Sequence, residues 1–164
     1  YLELATQIKQ QIVPMFAHTD KCIFFARGQL YPIMLEAALK LKEIAYIHAQ
    51  TYPGGELKHG PLALIEQDLI VVAMITSDDL AEKFYANLES VVARGAKLIL
   101  FADEKLEVPA KLGATIIQLP HIEQSLLVPI AYTLVMQLLA YYIATDRGTD
   151  VDKPRNLAKS VTVE

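Results

Sequence analysis

An α/β fold, a three-layer αβα sandwich around a mainly parallel sheet, is what this sequence predicts, on three observations. The runs 22–26, 70–75, 97–101 and 115–119 are short and essentially apolar throughout, as strands buried on both faces are. Stretches of helical period separate and flank them, and strands alternating with helices build an open sheet covered on both sides. Finally, 164 residues that are 53% hydrophobic and 21% charged suit a single core. A domain of this length buries roughly 68–70% of the surface its unfolded chain exposes, so neither metal nor disulfide is needed to hold it.

Taken in order, Leu4, Ile8, Ile12, Val13 and Phe16 recur every three or four residues, which predicts an amphipathic first helix ending near Thr19 and Asp20. The first strand follows. Arg27-Gly28-Gln29 breaks it, and Pro32 suits the first turn of a long helix reaching about Ala49. In that helix Leu35, Ala38 and Leu39 are expected to pack on the sheet. Tyr52-Pro53-Gly54-Gly55 reads as a turn leading into a polar loop that ends at Pro61. After the second strand, Thr76 or Ser77 caps a helix running from Asp78 to about Arg94, with two acids in its first turn and Gly95 as its stop. Residues 106–112 connect the third and fourth strands, and the last helix runs over 122–144. The expected division is a domain over 1–145 and a polar, irregular tail over 146–164. The architecture is of the flavodoxin-like kind.

Composition excludes several functions. A net charge of −4 with scattered basic residues offers no footprint for nucleic acid. Cys22 is the only cysteine, so there is no internal disulfide, and its apolar surroundings predict a small buried thiol. Four dispersed histidines have no zinc spacing, and neither a P-loop nor a dinucleotide fingerprint is present, so no cofactor is expected. Gln124, Gln137 and Asp146 bracket or interrupt the most apolar stretch, and the beginning lacks signal-peptide order, which points to a cytoplasmic protein with no membrane partner. The absence of an initiator methionine hints at a fragment.

Four groups of residues have chemistry to offer. Glu36, Lys40 and Glu43 are spaced by four and three, placing two carboxylates and an ammonium on one helix face. Such a trio is either a salt-bridged solvent face or a proton-transfer group. Its helix follows the first strand, and sites in open α/β sheets form at the carboxyl ends of strands. His59, in Gly55-Glu56-Leu57-Lys58-His59-Gly60-Pro61, is an imidazole on a loop stiffened by breakers, hence a possible general base. His18 and His48 read as helix-end residues and His121 as a capping or surface residue after Pro120. Lys159 is either an exposed terminal lysine or an amine able to form a Schiff base with a ketose carbonyl. Arg27-Gly28-Gln29 lacks the hydroxyls of a phosphate loop and is not expected to hold sugar phosphate.

Longer runs carry a resemblance. Arg27-Gly28, Tyr31-Pro32, Leu35-Glu36, Ala38-Leu39-Lys40-Leu41-Lys42-Glu43-Ile44, and Gly55 through Leu64 resemble the second sugar-isomerase (SIS) repeat of the glucosamine-6-phosphate synthase family. Gly148-Thr149-Asp150-Val151-Asp152-Lys153-Pro154-Arg155-Asn156-Leu157-Ala158-Lys159-Ser160-Val161-Thr162-Val163-Glu164 does so with high specificity, and the similarity spans essentially the whole chain. The family implies an enzyme in which a glutaminase domain releases ammonia and two SIS repeats convert fructose 6-phosphate to glucosamine 6-phosphate. It implies Lys159 as the Schiff-base lysine, Glu43 as the proton shuttle between the first two carbons, and Lys40 as an assistant on the same face. It further implies Glu36 as organiser of that face and His59 as a ring-opening residue donated across a homodimer. The family's phosphate-binding hydroxyls belong to the first repeat, and its glutaminase nucleophile is an amino-terminal cysteine, which Cys22 does not match. The isolated chain is therefore expected to be inactive, with a tail loose in the absence of the first repeat. The alternative is a non-catalytic sugar-phosphate-binding or structural SIS module, as in regulators that carry such a domain.

Overall fold

A computed structural model describes residues 2–77 and 81–157. The first helical segment begins as α1 (Leu2–Gln7), widens to a π-turn over Ile8–Ile12 and tightens to a 3₁₀ turn over Val13–Phe16. The predicted apolar positions of that segment, Leu4, Ile8, Ile12, Val13 and Phe16, are all buried. Five strands follow: β1 (Lys21–Ala26), β2 (His48–Pro53), β3 (Ile70–Ile75), β4 (Lys97–Asp103) and β5 (Thr115–Leu119). They pair in the order β2-β1-β3-β4-β5, every pair parallel. The helices between and after them are α2 (Leu30–Lys40), α3 (Ala81–Val92) and α4 (Val128–Asp146).

Alternate residues of the strands feed two cores. Cys22, Phe24, Val72, Met74, Ile99 and Phe101 face the first helical segment, α2 and α4. Ile23, Phe25, Val71, Ala73, Leu98 and Leu100 face α3 and the turns beside it. This is the predicted three-layer sandwich. The central strands are apolar on both faces because neither face meets water. Cys22 is 1% exposed, and burial pushes its thiol up to about 12, so it remains a protonated packing residue.

Three expectations need correction. The second helix does not reach Ala49: it ends in a π-turn over Leu41–Ala45, after which Tyr46 takes a left-handed conformation (φ 57°, ψ 32°) and the chain turns into β2. That strand, unpredicted, is an edge strand in which exposed His48 and Gln50 alternate with buried Ala49 and Thr51. His48 therefore opens a strand rather than closing a helix. The last helix begins at Val128, not at residue 122. Residues 122–124 are irregular and a 3₁₀ turn over Ser125–Leu127 leads into the helix, whose first turn holds Pro129. Lastly, Leu35 and Leu39 point outward, 45% and 43% exposed, while Ile33, Met34, Ala37, Ala38 and Leu41 form the packed face.

The stretch Ser125–Asp146 is long and apolar enough to cross a membrane, contrary to the expectation from its glutamines. Its role here is different: Tyr132, Val135, Met136, Leu139 and Ile143 are buried against the sheet, which makes α4 a core helix.

Gly54 shows how closely the layers fit. A Cβ there would stand 2.5 Å from Cε2 of the buried Phe84 ring, and its carbonyl accepts a 2.6 Å hydrogen bond from Asn87 Nδ2 of α3. Gly54→Ala is expected to cost about 1–3 kcal/mol by overpacking. Thermal denaturation should show Tm falling by roughly 2–4 °C per kcal/mol. An unchanged Tm would mean that Phe84 yields freely.

Candidate active site

The outward arc of α2 and the π-turn after it gather Glu36, Lys40 and Glu43. Lys40 Nζ lies 2.6 Å from Glu43 Oε2 and 3.8 Å from Glu36 Oε1, with all three side chains about 30% exposed. Helical spacing alone brings Glu36 and Lys40 together, and the three-residue step to Glu43 keeps it on that arc. The hydrogen bond that Lys40 donates to Glu43 raises the Lys40 pKa, partial burial works against it, and the charge of Glu36 adds to the rise. Lys40 is thus a standing cation beside a carboxylate, suited to steadying negative charge and unsuited to serve as a base near neutral pH.

The helix is fastened from behind, where Thr51 Oγ1 of β2 donates to the Met34 carbonyl at 3.0 Å within the core. Beside it Gln137 Nε2 of α4 donates to Glu36 Oε1 at 3.4 Å. Around the charged trio the surface is apolar, with Leu35 and Leu39 of α2 and Ile130, Leu134 and Tyr141 of α4 all exposed. A titratable cluster set in exposed leucines has the character of an unfinished interface.

Its position differs from the one expected. Helix α2 runs back from the carboxyl end of β1, so Lys40 and Glu43, in its last turns, approach the amino edge of the sheet where His48 opens β2. The carboxyl-end crevice of this strand order lies between β1 and β3. There the chain places Arg27-Gly28-Gln29 and Thr76-Ser77, and the Arg27 side chain lies over Gly54 and Gly55. The acid–base cluster and the crevice occupy opposite ends of the sheet.

His59 closes the 3₁₀ turn Gly54–His59 and is exposed. Buried Leu57 and the Asn87 bond to Gly54 fix the base of that turn, and Gly60 follows at φ 141°. The turn bearing His59 packs with α3 through Leu57 and Gly54, on the sheet face opposite α2, so the fold holds it apart from Glu36, Lys40 and Glu43. His18 and His48 line an open depression at the amino edge with Asp20 and Asp68. Among the described residues no three His, Cys, Asp or Glu side chains could share a metal ion.

The sequence reading missed one polar pair. Asp103 ends β4 at 2% exposure, and its Oδ2 lies 2.8 Å from His121 Nδ1 and 3.4 Å from the Ser77 hydroxyl, while Oδ1 accepts the Lys105 amide at 2.9 Å. His121 is therefore a buried carboxylate's partner rather than a surface cap. The available signal was an acid directly after an apolar strand, since such a residue must be paired when buried.

The segment after α4 is also more ordered than its composition implied. Arg147 Nη1 donates to the carbonyls of Phe16 and Thr19 at 3.2 and 3.0 Å. Thr149 Oγ1 donates to the Ile44 carbonyl at 2.6 Å, and Val151 packs against the core. Arg155 donates its backbone N–H to the Tyr46 hydroxyl at 2.9 Å, with its guanidinium carbon 4.1 Å from the Tyr46 ring centroid. Residues 147–155 thus make several fixed contacts, where a loose tail was expected, and Thr149 and Arg155 make theirs at the turn just after Glu43. Lys159 lies outside the described residues.

The state of Lys40 can be checked directly. As a raised lysine, its ion pair contributes stability that is complete below the ordinary pKa of 10.5 and is lost as pH rises through the higher folded value. Lysine-resolved NMR titration should show Lys40 titrating above 10.5, and Glu43→Gln should move it back toward that value. A wild-type midpoint at or below 10.5 would contradict the ion pair.

Comparison with known proteins agrees with this architecture. The chain is 52% identical to the glutamine–fructose-6-phosphate aminotransferase (isomerizing) of Pseudomonas putida over 155 residues, 94% of this chain and 25% of that enzyme. It therefore spans about a quarter of that relative's length. The C-terminal domain of glucosamine-fructose-6-phosphate aminotransferase from Francisella tularensis superposes on 93% of the chain and 42% of its own length, with a TM-score of 0.84 and 44% identity. The sugar isomerase domain of an RpiR transcription factor from Sphaerobacter thermophilus shares the fold at 17% identity, with a TM-score of 0.73 over 90% of this chain and 84% of its own. The SIS domain description matches residues 15–146, most of the sandwich. From the five-stranded parallel sheet, the helix-borne cluster and these matches together, the chain belongs to the SIS domain family.

Proposed function

We propose that this chain supplies one half of the isomerase site of a glutamine–fructose-6-phosphate aminotransferase, converting fructose 6-phosphate and glutamine-derived ammonia to glucosamine 6-phosphate. The observation that carries this reading is the Glu36–Lys40–Glu43 cluster on an open helix face ringed by exposed leucines. A face of that kind completes a site when a second domain closes over it. The first SIS repeat of the longer protein is the proposed occupant, bringing the phosphate-binding hydroxyls that are not found between Ala26 and Tyr31. A glutaminase domain supplies the nitrogen. Residues 1–145 are read as the second SIS domain and 146–164 as a tail that delivers Lys159.

The roles follow from the chemistry. Lys159 condenses with C2 of the open-chain ketose, losing water to form a Schiff base, and ammonia then displaces the lysine amine from that carbon to leave the C2 imine that isomerises. Glu43 removes a proton from C1 and returns one to C2, which a single carboxylate can do because the two carbons are adjacent. Lys40 offsets the negative charge that develops meanwhile, and Glu36 fixes the Lys40 ammonium. His59, exposed on its turn, opens the sugar ring in the site of the other subunit of a homodimer. The cytoplasm, where such phosphorylated sugars are held, is the proposed compartment.

A chimera tests the reading: the Pseudomonas putida enzyme with its matching quarter replaced by this chain. Glu43→Gln in that protein should lower glucosamine 6-phosphate formation by about 10²–10⁴-fold, with glutamine hydrolysis retained. Near-normal output would reject Glu43 as the shuttle. The unfused chain, given fructose 6-phosphate and ammonium, should yield neither glucose 6-phosphate nor glucosamine 6-phosphate, because misplacement of reacting groups by about 1 Å already costs 10²-fold. Product formation abolished by Lys159→Ala would show instead that the chain holds a working site alone. If wild-type and Lys159→Ala chimeras were both inactive while binding fructose 6-phosphate, a sensing module would be the better reading.

Mixed dimers address His59. Chimeras carrying Glu43→Gln and His59→Ala are each expected to be impaired, and co-assembly should restore activity through the heterodimers that keep one intact composite site. Failure to complement would place His59 in its own subunit's site.

A further inference from the structure

We infer that Thr149 is a positioning residue for Glu43, holding the π-turn that bears this carboxylate against the end of α4; this deepens the proposed function and rests on it. Lys40 is the last residue of α2 and Glu43 the middle residue of the π-turn Leu41–Ala45, so their 2.6 Å contact spans the joint between two kinds of helix. Single π-turns of this sort are rare and are frequently found at functional sites. The last carbonyls of a helical segment have no partner further along it and must be satisfied from elsewhere. The Leu41 carbonyl accepts from the amides of Tyr46 and Ile47, which close the turn. The Ile44 carbonyl, one residue from Glu43, accepts from the Thr149 hydroxyl at 2.6 Å.

Thr149 reaches that carbonyl because of the way α4 ends. Gly148 takes a left-handed conformation (φ 72°), and the Thr149 amide then donates to the Ala144 carbonyl at 3.0 Å. The Thr149 hydroxyl is 2.9 Å from the same carbonyl, so its single proton is shared between the last turn of α4 and the π-turn, with Ile44 the nearer acceptor. Helix α2 is secured in the same manner nearer its start, where the Thr51 hydroxyl donates to the Met34 carbonyl. Two threonine hydroxyls, one from β2 and one from beyond α4, therefore hold the backbone at residues 34 and 44. Glu36, Lys40 and Glu43 all lie between those two points, and Glu43 is one residue from the second. Thr149 acts through Glu43, with no part in the chemistry itself.

Thr149→Val keeps the shape of the side chain and removes the hydroxyl, while Thr149→Ser keeps the hydroxyl. In NMR titration of the unfused chain, Lys40 should titrate nearer 10.5 in Thr149→Val than in wild type, and Thr149→Ser should restore the wild-type midpoint. Arg147→Ala removes the contacts of the same segment to Phe16 and Thr19 and should leave that midpoint where it is. In the chimera, Thr149→Val should lower kcat for glucosamine 6-phosphate by about 10-fold or more, since misplacement by about 1 Å can cost 10²-fold. The fructose 6-phosphate KM and glutamine hydrolysis should stay near wild type, and Thr149→Ser should recover kcat. The wild-type chain offers a check without substitution: the Thr149 hydroxyl proton should be protected from solvent exchange, and its absence from the spectrum at low temperature would overturn the contact. An unchanged Lys40 midpoint in Thr149→Val would overturn the positioning role, as would an equal shift in Arg147→Ala. So would unchanged kcat in Thr149→Val while Glu43→Gln abolishes activity. If Glu43→Gln were itself without effect on output, the proposed function would have failed instead, and the Lys40 titration would still judge the hold on the π-turn.

Discussion

Everything in this molecule answers to one constraint: a sheet whose five strands are all parallel cannot close its connections by hairpins. Each strand must be followed by a crossover, and crossovers in such sheets are right-handed. From β1 the chain steps one way to β2, and from β3 it steps the opposite way to β4. Handedness therefore puts α2 and α3 on opposite faces. The strands between become apolar throughout, and α2, packed by Ile33, Met34, Ala37 and Leu41, is left with one free arc. The proposed chemistry sits on that arc.

The same constraint explains what could be read from the sequence. Strands buried on two faces leave continuous apolar runs, and β1, β3 and β4 were legible for that reason, while β5, the other edge strand, showed as a short run in which Gln118 interrupts Ile116, Ile117 and Leu119. Strand β2 was not legible. As an edge strand it alternates small buried residues with polar ones, His48-Ala49-Gln50-Thr51, and follows a helix with no glycine or proline between them. The missing breaker is Tyr46, which supplies the left-handed turn that a glycine would have announced. Leu35 and Leu39 misled in another way. Leucine on a helix argues for a packed face, and here two leucines belong to a surface that another domain is proposed to cover.

The candidate site was legible in parts. Spacing of four and three brought Glu36, Lys40 and Glu43 together, and the 2.6 Å contact between Lys40 and Glu43 agrees with it. Spacing said nothing of which edge of the sheet they approach, because that follows from the direction of α2 in three dimensions. Asp103 and His121, 18 residues apart, meet only because β4 and β5 pair with their carboxyl ends level. Tyr46 and Arg155, 109 residues apart, could not have been joined by any local pattern.

Arg147 carries a consequence for synthesis of the chain. The carbonyls of Phe16 and Thr19, where the first helical segment ends, both accept from a guanidinium more than 120 residues downstream. A ribosome delivers that helix before the rest of this domain, and the Arg147 contacts to its end form only after α4 and the turn beyond it have emerged. Within this domain, an early segment is thus among the last to be secured. During translation the apolar stripe from Leu4 to Phe16 stays available to partners other than its own sheet, and nascent-chain binding factors would meet it there first.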